Sequence, residues 1–351
     1  MGYLASSPRR AAALLSSAPG SVIATRRLLP AVLAVALLLV PVAGASGQSA
    51  NVGVSGQNAV VGTPGPNAVV GASVPGGVLG RTDRALTAID TIFGRSGRLL
   101  ARFFAPKHSM EVEPIARLFG HREQKADGMV AVTDSSSGRQ LSLFTMRPFA
   151  EKVNGRVGDY HIGRFPAEKR PPRSAAYENP DGFIEVTLEN KDTPVSEHFR
   201  LADFLTHDQT NVWPKYLVLR EALVDKLELV LVELHRRGVK AERLVVMSGF
   251  RSPQYNQKGV GRGGRARDSR HQFGDAADIL VDDNHDGRLD DLNHDGKVNS
   301  KDVRILVDAI NAVERQYPEL VGGLGVYRAT RAHGAFVHVD VRGNRARWGR
   351  P

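Results

Sequence analysis

The C-terminal half of this chain predicts an α+β fold, on three observations. One long apolar stripe at helical spacing covers residues 215–237, carrying Leu217, Leu219, Leu223, Leu227, Val230 and Leu234, and Gly238 supplies its stop. Four short strand-like runs follow at Leu244–Ser248, Ala276–Val281, Gly323–Tyr327 and residues 336–342. A second helical run over about 303–313 falls between the second and third of them. Short strands with helices gathered against them make an α+β domain.

The elements before this half are read in order from the N-terminus. Residues 28–43 (LLPAVLAVALLLVPVA) are apolar, follow Arg26 and Arg27, and end at Ala43-Gly44-Ala45, a small-x-small exit. A basic region, a short apolar run and a small-residue exit describe a secretory signal peptide, assigned to residues 1–45. The run is short against the roughly 20 residues of a membrane span. Arg26-Arg27 leaves general and twin-arginine export both open. The expected protein is exported, periplasmic or associated with the cell wall, with no stable membrane span after cleavage.

Residues 51–80 carry no charge and repeat one phrase, Gly56-Gln-Asn-Ala-Val-Val-Gly62 and Gly65-Pro-Asn-Ala-Val-Val-Gly71, so 46–80 read as a flexible linker. Residues 84–120 look partly helical, with Leu86, Ile89, Ile92 and Phe93, then Leu99, Leu100, Phe103 and Phe104. From 129 to 166 the pattern turns strand-like in MVAVT, LSLFTM and DYHIGRFP. Residues 81–180 are therefore expected to form a small helical, then β-rich domain, closed by a Pro-rich boundary at 167–180. The run 183–188 (FIEVTL) opens the second domain, 181–351.

Composition narrows the chemistry. The 351 residues include 47 Lys+Arg against 37 Asp+Glu, a formal charge of +10, which suits a polyanionic surface without arguing for nucleic acid. Zero cysteines exclude disulfide scaffolds, thiolate metal sites and thiol nucleophiles. The pattern Gly259-Val-Gly-Arg-Gly-Gly264 satisfies a phosphate-loop spelling, but it lacks the strand-to-helix context and reads as a flexible loop. Its neighbours Arg262, Arg265 and Arg267 could attract acidic peptide or wall polymer, or be solvated charge.

Ligand types gather in the last third. His271 precedes Asp278 by seven positions, and His338 and Asp340 share one face of a strand by period-two alternation. Two imidazoles and one carboxylate would give zinc three protein ligands and leave a fourth position open, as at catalytic zinc. A chance histidine followed by an aspartate is the alternative that spacing leaves standing.

The surrounding words extend this. Val246-Met-Ser-Gly-Phe-Arg-Ser-Pro-Gln-Tyr-Asn256 precedes Ser269-Arg-His-Gln-Phe-Gly-Asp-Ala-Ala-Asp-Ile279, then Gly323-Leu-Gly-Val-Tyr327 and Phe336-Val-His-Val-Asp-Val-Arg342, closing at Arg347-Trp348. Together they resemble the zinc D-Ala-D-Ala carboxypeptidase family, which includes vancomycin-resistance D,D-dipeptidases, phage endolysins and murein endopeptidases. The resemblance implies a small, mostly antiparallel sheet of the D-Ala-D-Ala peptidase/hedgehog-like type. It implies His271, Asp278 and His338 as zinc ligands, and Arg251 as the cation beside the substrate carbonyl. Ser269 and Tyr327 would bind substrate, and peptidoglycan peptides would be the partners. Many relatives carry an acid or histidine two or three residues before the last ligand. Ala335 and Phe336 stand there instead, leaving His333 or Asp340, which is the favoured general base but could equally orient His338 from behind. Carboxypeptidase activity, cross-link endopeptidase activity and a non-catalytic zinc-containing wall-binding role all remain open.

An acidic insertion, residues 282–302, separates the ligands. Asp291, Asn293, Asp295, Lys297 (through its carbonyl), Asn299 and Asp302 occupy the ligand positions of a loop resembling an EF-hand or dockerin calcium site, with Gly296 at the sharp turn and Val298 at the apolar position. An overlapping copy begins at Asp282 with Asn284, Asp286, Gly287 and Asp290, but its last position is only Asn293. A structural calcium ion is the expectation, and a solvated acidic hairpin the alternative.

Overall fold

The computed structural model describes residues 92–105, 128–133, 138–261, 264–331 and 333–350. The expected signal peptide, the linker, Arg262 and most of the 84–120 stretch lie outside the described residues. Those that follow belong to one compact unit. Helices and small, mainly antiparallel sheets make it α+β. Among the described residues, no helix is long and apolar enough to cross a membrane.

The first sheet joins β1 (Ala101–Phe104), β2 (Met129–Thr133) and β3 (Gln140–Thr145) in the order β1-β3-β2. Leu99, Leu100, Phe103 and Phe104 therefore do not continue a helix. Paired aromatics fit either period, and parallel pairing of Ala101 with Ser142 through Phe104 with Thr145 decides for the strand. The sheet buries both faces. Leu141 and Leu143 pack on Ile92, Phe93 and Phe104, whereas Ala101 and Phe144 face the main core.

Next come β4 (Arg147–Pro148) and the hairpin of β5 (Arg156–Val157) with β6 (Tyr160–His161), so DYHIGRFP supplies only two strand residues. β7 (Gly182–Val186) lies between β4 and β8 (Lys215–Leu217). The helical spacing begins at 215, but the helix does not. Lys215–Leu217 pairs with β7, and α1 spans Glu221–Arg236. Sheet pairing here overrides a spacing that suits a helix. Leu99, Phe144, Phe165, Phe183 and Phe204 share one core with α1 and the strands that follow, so the Pro-rich stretch at 167–180 is not a boundary between separate cores.

The second sheet positions the site. Its order is β13-β11-β12-β10-β9, from β9 (Leu244–Ser248), β10 (Ala276–Val281), β11 (Gly323–Tyr327), β12 (Phe336–Asp340) and β13 (Ala346–Trp348). The short α2 (Pro253–Lys258) starts with Ser252 accepting the amide of Tyr255, a side-chain N-cap. The longer α3 (Ser300–Gln316) begins with a capping box of Asn299 and Asp302. α3 packs on α1 through Val303, Leu306, Ile310 and Val313 against Leu223, Leu227 and Leu234. Each such side chain contributes about 1.5–3 kcal/mol by burial.

A buried ion pair lies inside this apolar layer. Lys226, fully buried on α1, donates to Glu314 Oε1 at 2.7 Å and to the carbonyls of Leu320 and Asp340, both at 2.9 Å. The helix pair is thereby tied to the end of β12, behind the candidate ligands. Removing one partner of such a buried pair costs about 3–5 kcal/mol.

Candidate metal centre

Three elements bring His271, Asp278 and His338 together. Asp278 lies on β10 directly opposite His338 on β12, in an antiparallel register that also sets Ala276 against Asp340. On its other side Asp278 faces Ser248 of β9, where the register shifts by a bulge. Such a bulge re-aims side chains. His271 sits in a single 3-10 turn, Arg270–Phe273, that ends at Gly274 with φ +67°. A Cβ at Gly274 would come 2.3 Å from the Val218 carbonyl oxygen, so only glycine lets the turn enter β10 this closely.

The three ligand atoms converge. His271 Nε2 lies 3.1 Å from His338 Nδ1 and 3.2 Å from Asp278 Oδ1, and His338 Nδ1 lies 2.9 Å from Asp278 Oδ1. Behind them, each ring nitrogen that points away is occupied. His271 Nδ1 donates to the Gly249 carbonyl at 2.7 Å, and His338 Nε2 donates to Asp340 Oδ2 at 3.2 Å. These outer bonds fix the neutral tautomers so that Nε2 of His271 and Nδ1 of His338 both present lone pairs. Three acceptors then face one point, which only a proton or a cation can satisfy. Among the described residues this is the group able to hold a metal ion.

Electrostatics agree. Burial pushes the His271 imidazole down toward its neutral form. Burial alone would raise the Asp278 carboxyl, but the two imidazoles beside it hold it well below the usual carboxylate range. Burial opposes charge on His338 too, yet hydrogen bonds to Asp278 and Asp340 outweigh it and raise that imidazole. The pocket draws positive charge to this point.

The remaining expected residues fall into two groups. Arg251 lines the cavity, donates from Nε to Ser248 Oγ at 2.8 Å and forms an ion pair with Asp278 through Oδ2, the oxygen turned away from the imidazoles. Ser269 precedes the 3-10 turn without capping it through its side chain, and lines the cavity. Tyr327 stacks on Phe336 (4.6 Å between centroids, 6° between planes) and accepts from Trp348 Nε1 at 3.1 Å.

Asp340 does not reach the cavity. It is fully buried behind His338, Oδ1 accepts from the Gly323 amide at 2.7 Å, and its carboxylate is clamped by Arg342. Burial by itself would raise it, but His338 and Arg342 depress it far below the carboxylate range. The expected proton acceptor is instead a positioning residue. His333 is the candidate that lines the cavity, with Nδ1 donating to the Gly334 carbonyl at 2.8 Å.

Neither a family model, nor a curated protein, nor a solved structure matches this chain. Function here is therefore argued from geometry.

That geometry includes residues the sequence did not flag. The cavity above the three ligands measures about 930 Å³, and Arg173 and Tyr177 from the Pro-rich stretch form part of its wall. Tyr177 meets Phe273 edge to face at 5.4 Å, which seats the stretch against the turn that carries His271. No motif signals these two residues, because only the fold brings them here. Gly325 is fixed by the same cavity: a Cβ there would lie 2.2 Å from the Trp348 ring.

The acidic insertion behaves differently. Asp291 accepts the amides of Asp295 (3.2 Å) and Gly296 (2.6 Å), and Asn293 Oδ1 accepts Asp295 N at 2.9 Å. Asp302 is fully buried and accepts the amides of Leu292 (3.0 Å), Asn293 (3.3 Å) and Asn299 (2.7 Å). Lys301 pairs with Asp295, and Asn299 Nδ2 donates to the Lys297 carbonyl at 3.0 Å. Val298 is 56% exposed. The six positions expected to bind calcium form the loop, but their acids point to loop amides and do not converge as the His/Asp/His group does.

Proposed function

We propose that this chain is an exported zinc metallopeptidase hydrolysing peptidoglycan stem peptides, of D-Ala-D-Ala carboxypeptidase type. The observation that carries the reading is the convergence of His271, Asp278 and His338 beneath an open cavity. Tetrahedral zinc with ligands at about 2.0–2.1 Å keeps them about 3.3 Å apart, and the three separations here are 2.9, 3.1 and 3.2 Å. Imidazole and carboxylate donors suit that ion. Bound there, zinc would supply a Lewis acid toward a peptide carbonyl and activation of water.

The chain's own groups supply the rest. Gly249 and Asp340 orient the two imidazoles, and Arg251 holds Asp278. Lining the cavity, the Arg251 guanidinium meets negative charge as it develops on the carbonyl oxygen. The Ser269 hydroxyl binds the peptide backbone, and the Tyr327–Phe336 stack gives it a flat wall. His333, with Nδ1–H held by Gly334, offers Nε2 as the proton acceptor. The sheet that carries these groups is assigned to the D-Ala-D-Ala peptidase/hedgehog-like type. Residues 1–45 are assigned to export, and the loop from Asp291 to Asp302 to a structural calcium ion.

Cavity size favours a second reading. About 930 Å³ lies at the upper end of the roughly 300–1,000 Å³ of ligand pockets. That leaves room for peptide on both sides of a scissile bond, as a cross-link endopeptidase needs.

The test is mass spectrometry of monomeric and cross-linked muropeptides after incubation with the mature protein, beside a chelated sample. Loss of a terminal D-Ala, abolished by chelation, is the expected result. Cleaved dimers would select the endopeptidase. No product from a zinc-loaded sample would sink the enzyme reading and leave a wall-binding protein.

A further inference from the structure

Resting on the peptidase reading, we propose that a basic cavity beside the catalytic one binds the carboxylates of the substrate peptide. This second cavity measures about 290 Å³, and Arg164, Lys169 and Arg267 lie on its lining. Arg267 and Asp268 line both cavities, so the two adjoin at these residues.

The cations of the catalytic cavity are otherwise committed. Arg251 is held by Ser248 and Asp278, and Arg342 by Asp340. Arg270 pairs with Asp275, and Arg265 donates to the Tyr255 carbonyl at 2.7 Å while lying 4.3 Å over that ring. Arg173 pairs with Asp268 at 3.2 Å. Arg267 is the exception: it is exposed, and its side chain meets no partner among the described residues.

Arg164 and Lys169 share that condition, both exposed and without a side-chain partner among the described residues. The single acid on this lining, Asp268, is already engaged by Arg170 and Arg173, so it does not neutralise the three free cations. Like charges gathered in a concave wall focus a positive potential there. Guanidinium forks match carboxylates in pairs. Adjacency to the catalytic cavity, with Arg267 on both linings, makes the substrate itself the occupant, in preference to a separate polymer.

The probes are a stem tetrapeptide with free side-chain carboxylates and the same peptide with those carboxylates amidated, titrated calorimetrically into the full mature protein. Parent protein should bind the acidic peptide about tenfold more tightly, the scale of three exposed charge contacts. The Arg164→Gln/Lys169→Gln/Arg267→Gln variant, shown by its melting temperature to be folded, should lose that preference, as should the parent in high salt. A preference that survives in the variant, or none in the parent, overturns the proposal. So does polyphosphate that binds the parent, fails to bind the variant and leaves peptide binding unchanged, because the site then serves a phosphate polymer. Heat of binding is independent of turnover. An absence of hydrolysis would remove the peptidase reading while leaving this result intact.

Discussion

The His/Asp/His centre and the acidic loop between its ligands are both built from groups that bind cations, and they are built in opposite ways. At the centre, three acceptors lie 2.9–3.2 Å apart, and every outward-facing nitrogen is tied to a carbonyl or carboxylate. Its geometry is imposed by the sheet, where β10 and β12 pair Asp278 with His338, and by the turn before β10 that carries His271. In the loop, the carboxylates of Asp291 and Asp302 are satisfied by loop amides. Those bonds leave lone pairs on the same oxygens, but the loop's acids do not gather at one point as the acceptors of the centre do. The first region is preorganised and the second self-satisfied, which predicts strong dependence of function on the first and modest dependence of stability on the second.

The largest effect should follow from breaking the centre itself. His338→Ala removes a ligand at the middle of the convergent group. Turnover of muropeptides should fall at least about 1,000-fold, equivalent to about 4 kcal/mol of lost transition-state stabilisation, and zinc measured by elemental analysis should drop below one per chain. Full activity in this variant would end the argument that the three acceptors form the reactive site.

A subtler change tests the backing. Asp340→Asn keeps the shape and one oxygen acceptor, but it removes the charge that His338 Nε2 and Arg342 lean on. Loss of such an outer partner typically weakens metal binding about 10–100-fold. Competition against a chromophoric chelator would measure it. Unchanged affinity would mean that Asp340 contributes only packing, and the contrast between the two regions would then rest on the ligands alone.

The same contrast explains what can be read in the sequence. His271, Asp278 and His338 are legible because strand alternation and motif spacing act locally, and the two strands then pair Asp278 with His338. The choice between base and orienting partner for Asp340 is not, since Arg342 and the Gly323 amide reach it only in the folded sheet. Nothing local to Lys226 signals its burial, yet it is fully buried against Glu314. Residues 215–217 and 99–104 suit helical spacing, and their strands, Lys215–Leu217 and Ala101–Phe104, form through pairing with β7 and β3. Arg173 and Tyr177 come from a stretch whose prolines announce only a boundary. In each case a long-range contact decides what the local sequence does not.

The smallest effect concerns the loop. Its ends are anchored, because Leu289, Leu292 and Val303 are buried in the main core and Asp302 caps α3. Calcium should therefore tighten a segment that is already folded, and much of its binding energy would go into drawing the separated acids of the loop to one point. A net gain of about 1 kcal/mol corresponds to a rise of about 2–4 °C in melting temperature for a domain of 150–250 residues. Asp291→Ala should erase that rise and leave zinc content at one per chain. Asp291 is the residue to change, since Asp302 also serves the helix and its loss would confound the measurement. A calcium-induced rise that persists in Asp291→Ala would place the ion elsewhere, and a parent protein indifferent to calcium would make the insertion a self-sufficient acidic hairpin. A rise much above 4 °C would show that the loop oxygens gather around an ion more easily than their separation implies, and the two regions would then differ less than their geometry suggests.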